Sequence, residues 1–250
     1  LKDIMVIAIS LALADALPER ITAGWNPLLC AVIAGNDPRR QRRFADLLIN
    51  ACKGGGGATY GADGYDHIGI MSGAGGIAAQ DPEMFELEVP VLFHKFEYQT
   101  DSAGAGRWRG GLGIETRVEL LADDVQITVF GDGTVPGSGP PGIKGGLPGS
   151  LNLGQIIKPT GETVVPQCKD LVRDVARGSI WHQIAGGGGG YGDPFTRPTT
   201  VVAKEVRLGY LSVERARRDY GVVVDPNTFA LDSAATEAVR AARPSAGQLN

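Results

Sequence analysis

The two ends of the chain carry helix-type patterns of apolar residues. Residues 3–17 are apolar on nearly every side, so we expect a helix that is buried against other protein and is closed by Pro18. A second helix is predicted to begin at Asp37, as its N-cap, and to stop at Gly54. One face of this helix would carry the apolar side chains of Phe44, Leu47, Leu48 and Ala51.

The pattern becomes helical again after Pro198. Ser212 is a predicted N-cap for a helix that stops at Gly221. Another helix is predicted to run through Arg240, with Asp232 or the following serine as its cap.

The middle of the chain alternates between apolar and polar residues with a period of two. Residues 114–120 and 125–129 both alternate, and Asp123 and Asp124 between them favour a turn. This pattern predicts an antiparallel hairpin with one face in water. Residues 92–99 alternate in the same way and are predicted to form a neighbouring strand.

Glycine is the compositional outlier, with 37 residues in a chain of 250, or about twice the usual share. The segment Gly131–Ser150 is a Gly/Pro loop too long to be a simple connection, so it is functional, mobile or pinned by a partner. We therefore expect an α+β fold whose β-rich, largely antiparallel middle carries long Gly/Pro loops. Its predicted parts are a helical 1–57, a strand and loop region 58–198, C-terminal helices at 199–243, and a tail at 244–250.

The charge of the chain limits its partners. Twenty-four Lys and Arg against 28 Asp and Glu give a net charge of −4, without the basic excess typical of nucleic-acid binders. Four arginines in the second predicted helix form either a solvated face or a contact with an acidic partner. They are Arg39, Arg40, Arg42 and Arg43.

The cysteines and the apolar runs indicate the compartment. Cys30, Cys52 and Cys168 are odd in number and have no CxxC spacing, which is typical of a reducing, cytoplasmic environment. No apolar run reaches the roughly 18 residues that span a bilayer. We therefore expect no membrane association.

The glycine motifs do not predict a nucleotide site. Gly73–Ala78 matches the GxGxxA fingerprint, but Pro82 follows within a turn and a strand is predicted next, whereas the fingerprint opens a helix. Lys144 lacks the Ser or Thr that follows a Walker A lysine. The run 186–190 is either a phosphate cradle or a flexible loop, and its composition favours the loop.

Among the histidines, His67 is the best candidate for a functional role. It follows Asp63 and Asp66 in a Gly-rich loop, where a carboxylate would hold the imidazole charged or oriented. His94 lies on a predicted strand and is expected to be a packed side chain. The spacing of these residues and His182 predicts no metal site within the chain.

The segment Asp101–Gly113 carries the most specific pattern. Arg107 and Arg109 lie among glycines, where little bulk blocks an approaching anion, and together they could hold a carboxylate or phosphate. In the alternative, the segment is a structural turn in which Asp101 pairs with one of the two arginines. The spacing alone does not separate these hypotheses.

The same segment resembles the DSGGxGxxRGGxG signature of the hydantoinase B/oxoprolinase family, which usually has two glycines where this chain has Ser102-Ala103-Gly104. Further motifs follow in the family's order and spacing, so the resemblance covers essentially residues 1–240. They are ALPxRxxA at 16–23, PxE...E...P at 82–90, GGGYGDPxxR ending at Arg197, and DYGVV at 219–223.

The resemblance implies an ATP-dependent enzyme that opens cyclic amides such as hydantoins or 5-oxoproline. A separate A-type subunit would bind ATP and Mg and phosphorylate the amide oxygen, and this chain would help to hydrolyse the activated intermediate within a hetero-oligomer. Relatives of the same type carboxylate ketones such as acetone or acetophenone. On this basis the candidate catalytic residues are His67, Asp101, Arg107 and Arg109.

Family chains are much longer, and their N-terminal portion carries the histidine and aspartate motifs associated with metal binding. The resemblance therefore implies a divalent metal in a portion that is not among these 250 residues, and none held by the residues present. A second hypothesis makes the chain a non-catalytic scaffold whose loops dock the ATP-binding subunit.

Overall fold

A computed structural model describes residues 2–73, 75–76 and 78–243. It confirms the α+β class, with two antiparallel sheets in the middle of the chain and helices at both ends. The predicted tail at 244–250 lies outside the described residues, and the division into domains stays a prediction.

The helices are short and the strands have moderate length. The helices are α1 (Lys2–Ala12), α2 (Ile49–Cys52), α3 (Pro82–Glu88), α4 (Thr199–Arg207), α5 (Val213–Tyr220) and α6 (Ser233–Ala241). The strands are β1 (Leu29–Asp37), β2 (Arg42–Leu47), β3 (Val91–Tyr98), β4 (Ile114–Leu120), β5 (Val125–Gly131), β6 (Leu153–Ile157), β7 (Thr163–Val164), β8 (Lys169–Val175) and β9 (Ile180–Ala185).

The two sheets face each other across one hydrophobic core. One sheet has the order β2-β1-β5-β8 and the other β3-β4-β9-β6-β7, and every pairing is antiparallel. Trp181, Val118 and Ile127 from different strands are all fully buried in this core. The alternation in the sequence therefore reports strands with one face turned inward, as predicted.

The C-terminal helices begin and end where their capping residues predict. The Ser212 hydroxyl accepts a hydrogen bond from the Arg215 amide at 3.1 Å, and α5 ends at Gly221 with a left-handed φ of 62°. The Asp232 carboxylate accepts from the Ala235 amide at 2.9 Å and caps α6. All three predicted terminal signals are confirmed.

The predicted hairpin of β4 and β5 is wrong in its pairing, although both strands exist. β4 pairs with β3 and β9, whereas β5 pairs with β1 and β8 in the other sheet. The chain turns at Asp124, which has φ of 52°, so that the apolar faces of the two strands stack across the core. Alternation shows which face of a strand is buried but not which strand lies beside it.

The predicted helix from Asp37 to Gly54 is also wrong. β1 and β2 form a hairpin there, and only Ile49–Cys52 is helical. The Asp37 carboxylate accepts from both the amide (2.9 Å) and the Nε (3.1 Å) of Arg39, which closes a turn instead of capping a helix. Gln41 then adopts φ of 52°, which a helix does not contain.

Two of the four clustered arginines cap the end of α3. Arg39 Nη1 donates to the Glu86 carbonyl at 2.8 Å, and Arg40 Nη2 donates to the Leu87 carbonyl at 2.7 Å. The last carbonyls of a helix lack partners within the helix and carry partial negative charge, so guanidinium groups are favourable there. This contact within the chain was not among the two alternatives that the sequence left open.

The first helix is present but shorter than predicted. It ends at Ala12, and turns follow up to the 3-10 turn Pro18–Arg20. Ile4, Met5 and Ile9 are each about half exposed, at 48%, 55% and 57%. Burial of this helix against another protein stays a prediction. No helix among the described residues is long and apolar enough to cross a membrane.

A bundle of glycine-rich segments joins the C-terminal helices to the two facing sheets, which together form a β-sandwich. Residues 186–190 lie at its centre, surrounded by 54–58, 102–106, 110–113 and 139–150. Successive amides of the central segment donate to carbonyl groups of different neighbouring segments. These bonds are Gly188 N to Gly111 O (2.9 Å), Gly189 N to Gly24 O (2.8 Å) and Gly190 N to Leu147 O (2.9 Å).

This central run is neither of the two features that its sequence suggested. All five glycines at 186–190 are buried, and a Cβ on Gly188 would lie 1.9 Å from the carbonyl oxygen of Gly56. A flexible loop would expose its backbone to water, and a phosphate cradle would leave its amides free. Here the glycines allow backbone segments to approach one another closely.

The bundle also explains how the long Gly131–Ser150 loop is ordered. The Leu147 amide donates to Ala105 O at 2.7 Å, and the Ser150 amide donates to Ser102 O at 2.8 Å. The second half of the loop is therefore held by contacts within the chain, and contact of the loop with a partner stays a prediction.

Candidate functional site

Arg109 of the signature segment is enclosed, and each of its three side-chain nitrogens has a hydrogen-bond partner. Its side chain is 12% exposed, and Nη1 lies 2.8 Å from Asp66 Oδ1 and 2.7 Å from the Gly110 carbonyl. Its Nε donates to Glu205 Oε1 at 2.8 Å. Burial alone would lower the pKa of this guanidinium, but the bonds to Asp66 and the nearby Glu205 raise it above the ordinary value.

A second buried arginine completes this charge network. Arg197 donates two hydrogen bonds of 2.7 Å to the Asp63 carboxylate, one from each Nη atom. Its Nη2 also donates to Glu205 Oε1 at 2.7 Å. Burial raises the pKa of Asp63, but the Arg197 guanidinium outweighs it and holds that pKa below its usual range. Glu205 of α4 thus joins Arg109 and Arg197, and the network binds the C-terminal helices to the glycine bundle.

Sequence reasoning did not find most of this network. Asp63 and Asp66 stand out in the sequence only as neighbours of His67, and Glu205 gives no signal within an ordinary helical pattern. The one available signal is Arg197, which lies in a motif of the family resemblance. Opposite charges that are about 40 and 100 residues apart meet only through the fold.

Arg107 is the more accessible of the two candidate arginines. Its Nη1 donates to the Thr196 carbonyl at 2.7 Å, and its guanidinium lies 5.9 Å from the centre of the Trp108 ring. Trp108 in turn contacts Tyr60 and Tyr191, with ring centres 5.0 and 5.6 Å apart. Arg107 therefore belongs to an aromatic cluster at the edge of the bundle, while Arg109 points into the network.

Asp101 pairs with neither arginine. It has φ of 64°, its carboxylate accepts from the Ser212 amide at 2.8 Å, and its own amide donates to the Tyr210 carbonyl at 3.0 Å. Arg215 donates to the Asp101 carbonyl oxygen. Asp101 thus fixes the start of α5, and the paired turn considered in the sequence is not formed.

His67 is a neutral imidazole and is not an ion-pair partner. Its Nε2 lies 3.1 Å from the Asn50 carbonyl, and its ring meets Phe96 edge-on at 5.5 Å. Burial lowers the pKa of His67 to about 4. The expectation that a carboxylate holds this imidazole is wrong, because Asp63 and Asp66 bind the arginines instead.

His67 lines a cavity of about 570 Å³ beside the edge strand β3. Phe96 and Tyr98 of β3 form one wall, and the turn at Leu208–Tyr210 after α4 forms the other. Asp101, Arg107 and Arg109 are not among its lining residues, although the Asp101 amide donates to the carbonyl of the lining residue Tyr210. Catalytic roles for all four stay predictions.

The two other histidines are held by glutamates on the outer face of the second sheet. His94 lies 2.7 Å from Glu119 and is exposed, so it is not the packed residue that was expected. His182 Nε2 lies 3.0 Å from Glu115 and its Nδ1 lies 2.7 Å from Gln155, which leaves neither nitrogen free. Among the described residues, no three His, Cys, Asp or Glu side chains are grouped so that they could hold a metal ion.

The chain is similar to known proteins both in sequence and in structure. The chain is 37% identical over 238 residues to caprolactamase subunit beta of Pseudomonas jessenii, an alignment that covers 94% of the chain and 41% of that relative. The crystal structure of ATP-dependent caprolactamase from the same organism superposes with a TM-score of 0.77 at 34% identity, covering 93% of this chain and 40% of that one.

The fold extends to a more distant enzyme. The nucleotide-free structure of acetone carboxylase superposes with a TM-score of 0.74 at 23% identity, over 95% of this chain and 36% of that chain. The chain thus spans about two fifths of the length of the caprolactamase chain and a little over a third of that of acetone carboxylase. Residues 3–194 match the sequence model of the hydantoinase B/oxoprolinase family. The chain belongs to the hydantoinase B/oxoprolinase family.

Proposed function

We propose that this chain is part of an ATP-dependent cyclic-amide hydrolase of the lactam, hydantoin and 5-oxoproline type. A separate A-type subunit would bind ATP and Mg and transfer the γ-phosphoryl group to the amide oxygen. Water would then add to the activated amide carbon, and the ring C–N bond would break with the nitrogen leaving as an amine, which yields an acyl phosphate. A second water would hydrolyse the acyl phosphate to a carboxylate and inorganic phosphate. Phosphorylation makes the oxygen a good leaving group, which is the reason to couple ring opening to ATP.

One observation carries this proposal: the 37% identity to caprolactamase subunit beta over nearly the whole chain. The likeness to acetone carboxylase at 23% identity supports the shared fold and does not favour carboxylation. The three cysteines form no disulfide, which supports action in a reducing compartment such as the cytoplasm.

The structure also supports a scaffold role for the signature segment within such an enzyme. Arg109 and Asp101 use their polar groups to join the glycine bundle to α4 and α5, so neither is free to hold a phosphate. In this second candidate function, the chain positions the reacting groups of other subunits or regions and contributes no catalytic side chain of its own.

A chimera tests the proposed function directly. The region of caprolactamase subunit beta that aligns with this chain would be replaced by the 250 residues, and the product would be expressed with its companion subunit. We expect ATP-dependent opening of caprolactam, measured as release of the amino acid. Parallel assays would use hydantoin, 5-oxoproline, and acetone with bicarbonate.

The control is the same subunit beta with the aligned region deleted, which should be inactive. A folded, assembled chimera that carboxylates acetone and opens no cyclic amide would contradict the proposed function. A chimera in which Arg107 and His67 are replaced together with no change in turnover per folded molecule would favour the scaffold role.

A further inference from the structure

The outward faces of the two sheets carry different kinds of residue. In the sheet β3-β4-β9-β6-β7, one outward row across four strands consists of Lys95, Arg117, His182 and Gln155. The carboxylate of Glu115 lies within 3.1 Å of the first three of these side chains. This face is therefore a charged, hydrogen-bonded surface of the kind that an antiparallel sheet presents to water.

The sheet β2-β1-β5-β8 presents uncharged residues instead. Ile33 of β1 and Ile127 of β5 point into the core, so their neighbours along each strand point outward. The outward-facing residues in the middle of these two strands are all uncharged. They are Val32, Ala34, Asn36, Gln126, Thr128 and Phe130. A sheet face without charges at its centre is typical of one that is covered by a further layer of structure.

One row of this second face is apolar across almost the whole sheet. Leu47 of β2 lies opposite Val32 of β1. Thr128 of β5 lies opposite Val32 on one side and opposite Leu171 of β8 on the other. Leu171 is 40% exposed, and Phe130 in the adjoining row is 42% exposed. Large apolar side chains that are exposed side by side on one face mark a site of interaction with other protein.

Two depressions lie at opposite ends of this face. Their volumes are about 560 and 490 Å³, and Ile4 of α1 joins Phe130 in the lining of the second, so the apolar surface continues onto α1. The lining of each depression holds one cation and one carboxylate. They are Arg43 and Asp124 in the first, and Lys169 and Asp132 in the second. Neither end therefore has a net charge, and apolar contact and shape select what covers the face.

The relatives contain additional polypeptide that can supply a covering layer. The alignment covers 41% of caprolactamase subunit beta and the superposition covers 40% of the caprolactamase crystal-structure chain, so about three fifths of each lies outside the shared region. An uncharged, apolar face is typical of a permanent interface, because exchangeable interfaces are about as polar as the rest of the surface. A layer from the same chain also avoids the entropy cost of bringing two molecules together.

We propose that the outward face of the sheet β2-β1-β5-β8 is a permanent interface, covered by the part of a caprolactamase-type chain that lies outside the aligned region. This layer packs apolar side chains against the row at Val32, Thr128 and Leu171, and against Ile4 beyond its end. The inference rests on the family relationship and not on the reaction proposed above.

Cysteine labelling in two polypeptides tests this interface. Leu171→Cys would be made in the isolated chain and in the chimera with caprolactamase subunit beta, and its rate of reaction with a maleimide would be measured by peptide mass spectrometry. The control is Arg117→Cys, in the middle of the outward face of the other sheet, where the side chain is 45% exposed. This readout separates each new thiol from the native cysteines.

Both new cysteines should react at similar rates in the isolated chain. In the chimera, with or without its companion subunit, we expect Leu171→Cys to react at least about tenfold more slowly, because labelling then requires the interface to open. Arg117→Cys should react in the chimera without companion subunit as it does in the isolated chain.

A charge placed at the centre of the face separates the interface from folding. Thr128 is exposed, so Thr128→Glu should leave the melting temperature of the isolated chain nearly unchanged. In the chimera the same carboxylate would be buried without a partner, so we expect the covering layer to detach and the labelling of Leu171→Cys to become several-fold faster. Thr160→Glu, at an exposed threonine between β6 and β7, is the control and should leave this rate unchanged.

The proposal is overturned if Leu171→Cys reacts as fast in the folded chimera as in the isolated chain, or if it becomes protected only when the companion subunit is added. Protection that grows with the concentration of the isolated chain would assign the face to a second copy and overturn the proposal as well. Equal protection of Arg117→Cys in the chimera alone would show that the two faces do not differ, with the same result.

The interface and the proposed function can fail separately. A chimera that opens a cyclic amide while Leu171→Cys stays reactive would overturn this inference and leave the proposed function standing. A folded chimera with a protected face that opens no cyclic amide would contradict the function alone.

Discussion

The sandwich core and the glycine bundle solve the same packing problem in opposite ways. In the sandwich, large side chains such as Trp181 and Ile127 fill the space between two sheets. In the bundle, segments around 186–190 pack with almost no side chains, and backbone amides donate to carbonyls of neighbouring segments. Buried apolar area stabilises the first region, and satisfied backbone hydrogen bonds in close contact define the second.

This difference predicts opposite tolerances. A core of interdigitating side chains loses stability when atoms are removed, because a cavity remains. A bundle of touching backbones loses stability when atoms are added, because a carbonyl cannot move aside as the end of a side chain can. The functional candidates lie around the second kind of region, where Arg109 closes one side of the bundle and His67 another.

The sharpest test adds one methyl group to the bundle. In Gly55→Ala the new Cβ would lie 2.0 Å from the carbonyl oxygen of Gly111, so the two segments must separate. We expect the variant either not to fold or to lose about 4 kcal/mol or more of unfolding free energy, a fall in Tm of roughly 8–16 °C. Chemical denaturation and a thermal melt measure this loss.

The neighbouring residue supplies the control. In Gly56→Ala the Cβ would lie 3.1 Å from the Ile68 γ-methyl and 3.5 Å from the Trp25 ring, which are side-chain and not backbone atoms, and the backbone has no left-handed φ to strain. We expect a loss of about 1 kcal/mol or less. Equal losses at the two positions would show that close backbone contact does not set the stability of the bundle.

The second test asks whether Arg109 serves structure or chemistry. Arg109→Lys keeps the charge but loses the fork that reaches Asp66 and Glu205 together, so about two charge-assisted bonds disappear. We expect a loss of about 3 kcal/mol in unfolding free energy, with little change in turnover per folded molecule of the assembled enzyme. If Arg109 instead holds a reacting anion, turnover falls about ten- to a hundredfold while the melt is unchanged.

Arg107→Lys is the matched substitution in the same segment. Arg107 makes a single bond to the Thr196 carbonyl and is partly exposed, so we expect at most about 0.5–1 kcal/mol of lost stability. Melting temperature and turnover measured on the same preparations separate the two arginines.

A third test uses pH at the edge of the bundle. The pKa of His67 in the folded chain is about 4, below the ordinary 6.5, because burial disfavours the proton. The stability from the neutral imidazole is therefore present above about pH 6.5 and is lost as the pH falls toward 4. Between pH 7 and 4.5 we expect the unaltered protein to lose roughly 2 kcal/mol of unfolding free energy through His67, and we expect this loss to be absent in His67→Gln.

His94→Gln changes an exposed histidine on β3 and serves as the control. It should leave the pH-dependent loss of unfolding free energy unchanged. The pKa of Asp63 and that of Asp219 are both lowered from the ordinary 3.8. The stability that depends on these ionised carboxylates is therefore lost at pH values below the range of 7 to 4.5 used in this test. An identical pH profile for the wild type and His67→Gln would show that the imidazole is not buried.

The sequence predicted elements that depend on local chemistry. Ser212, Gly221 and Asp232 mark helix ends because their capping bonds reach only a few residues along the chain. The strands at 114–120 and 125–131 follow from alternation, but their membership of different sheets depends on partners far away in sequence. At 42–47, apolar residues with helical spacing form an edge strand because Phe44 packs on β1.

The site was less predictable for the same reason. The signature segment was recognised, yet the partners of Arg109 are 43 and 96 residues away, and no local pattern marks Glu205. The role of the glycines at 186–190 was missed because a buried bundle and a flexible loop have the same composition. Only the number of separate glycine runs, at 54–57, 104–113 and 186–190, indicates that several segments pack together.

The smallest expected effect completes the contrast between the two regions. Ile127→Val removes one methylene from a fully buried residue of β5, on the inner face of the sandwich. We expect a loss of about 1 kcal/mol, the lost transfer free energy plus a small cavity, with a fall in Tm of roughly 2–4 °C. One carbon removed from the core would then matter less than one carbon added at Gly55, although both positions are completely buried. A larger loss for Ile127→Val than for Gly55→Ala, measured by the same denaturant titration, would reverse the assignment and make the sandwich the less tolerant of the two regions.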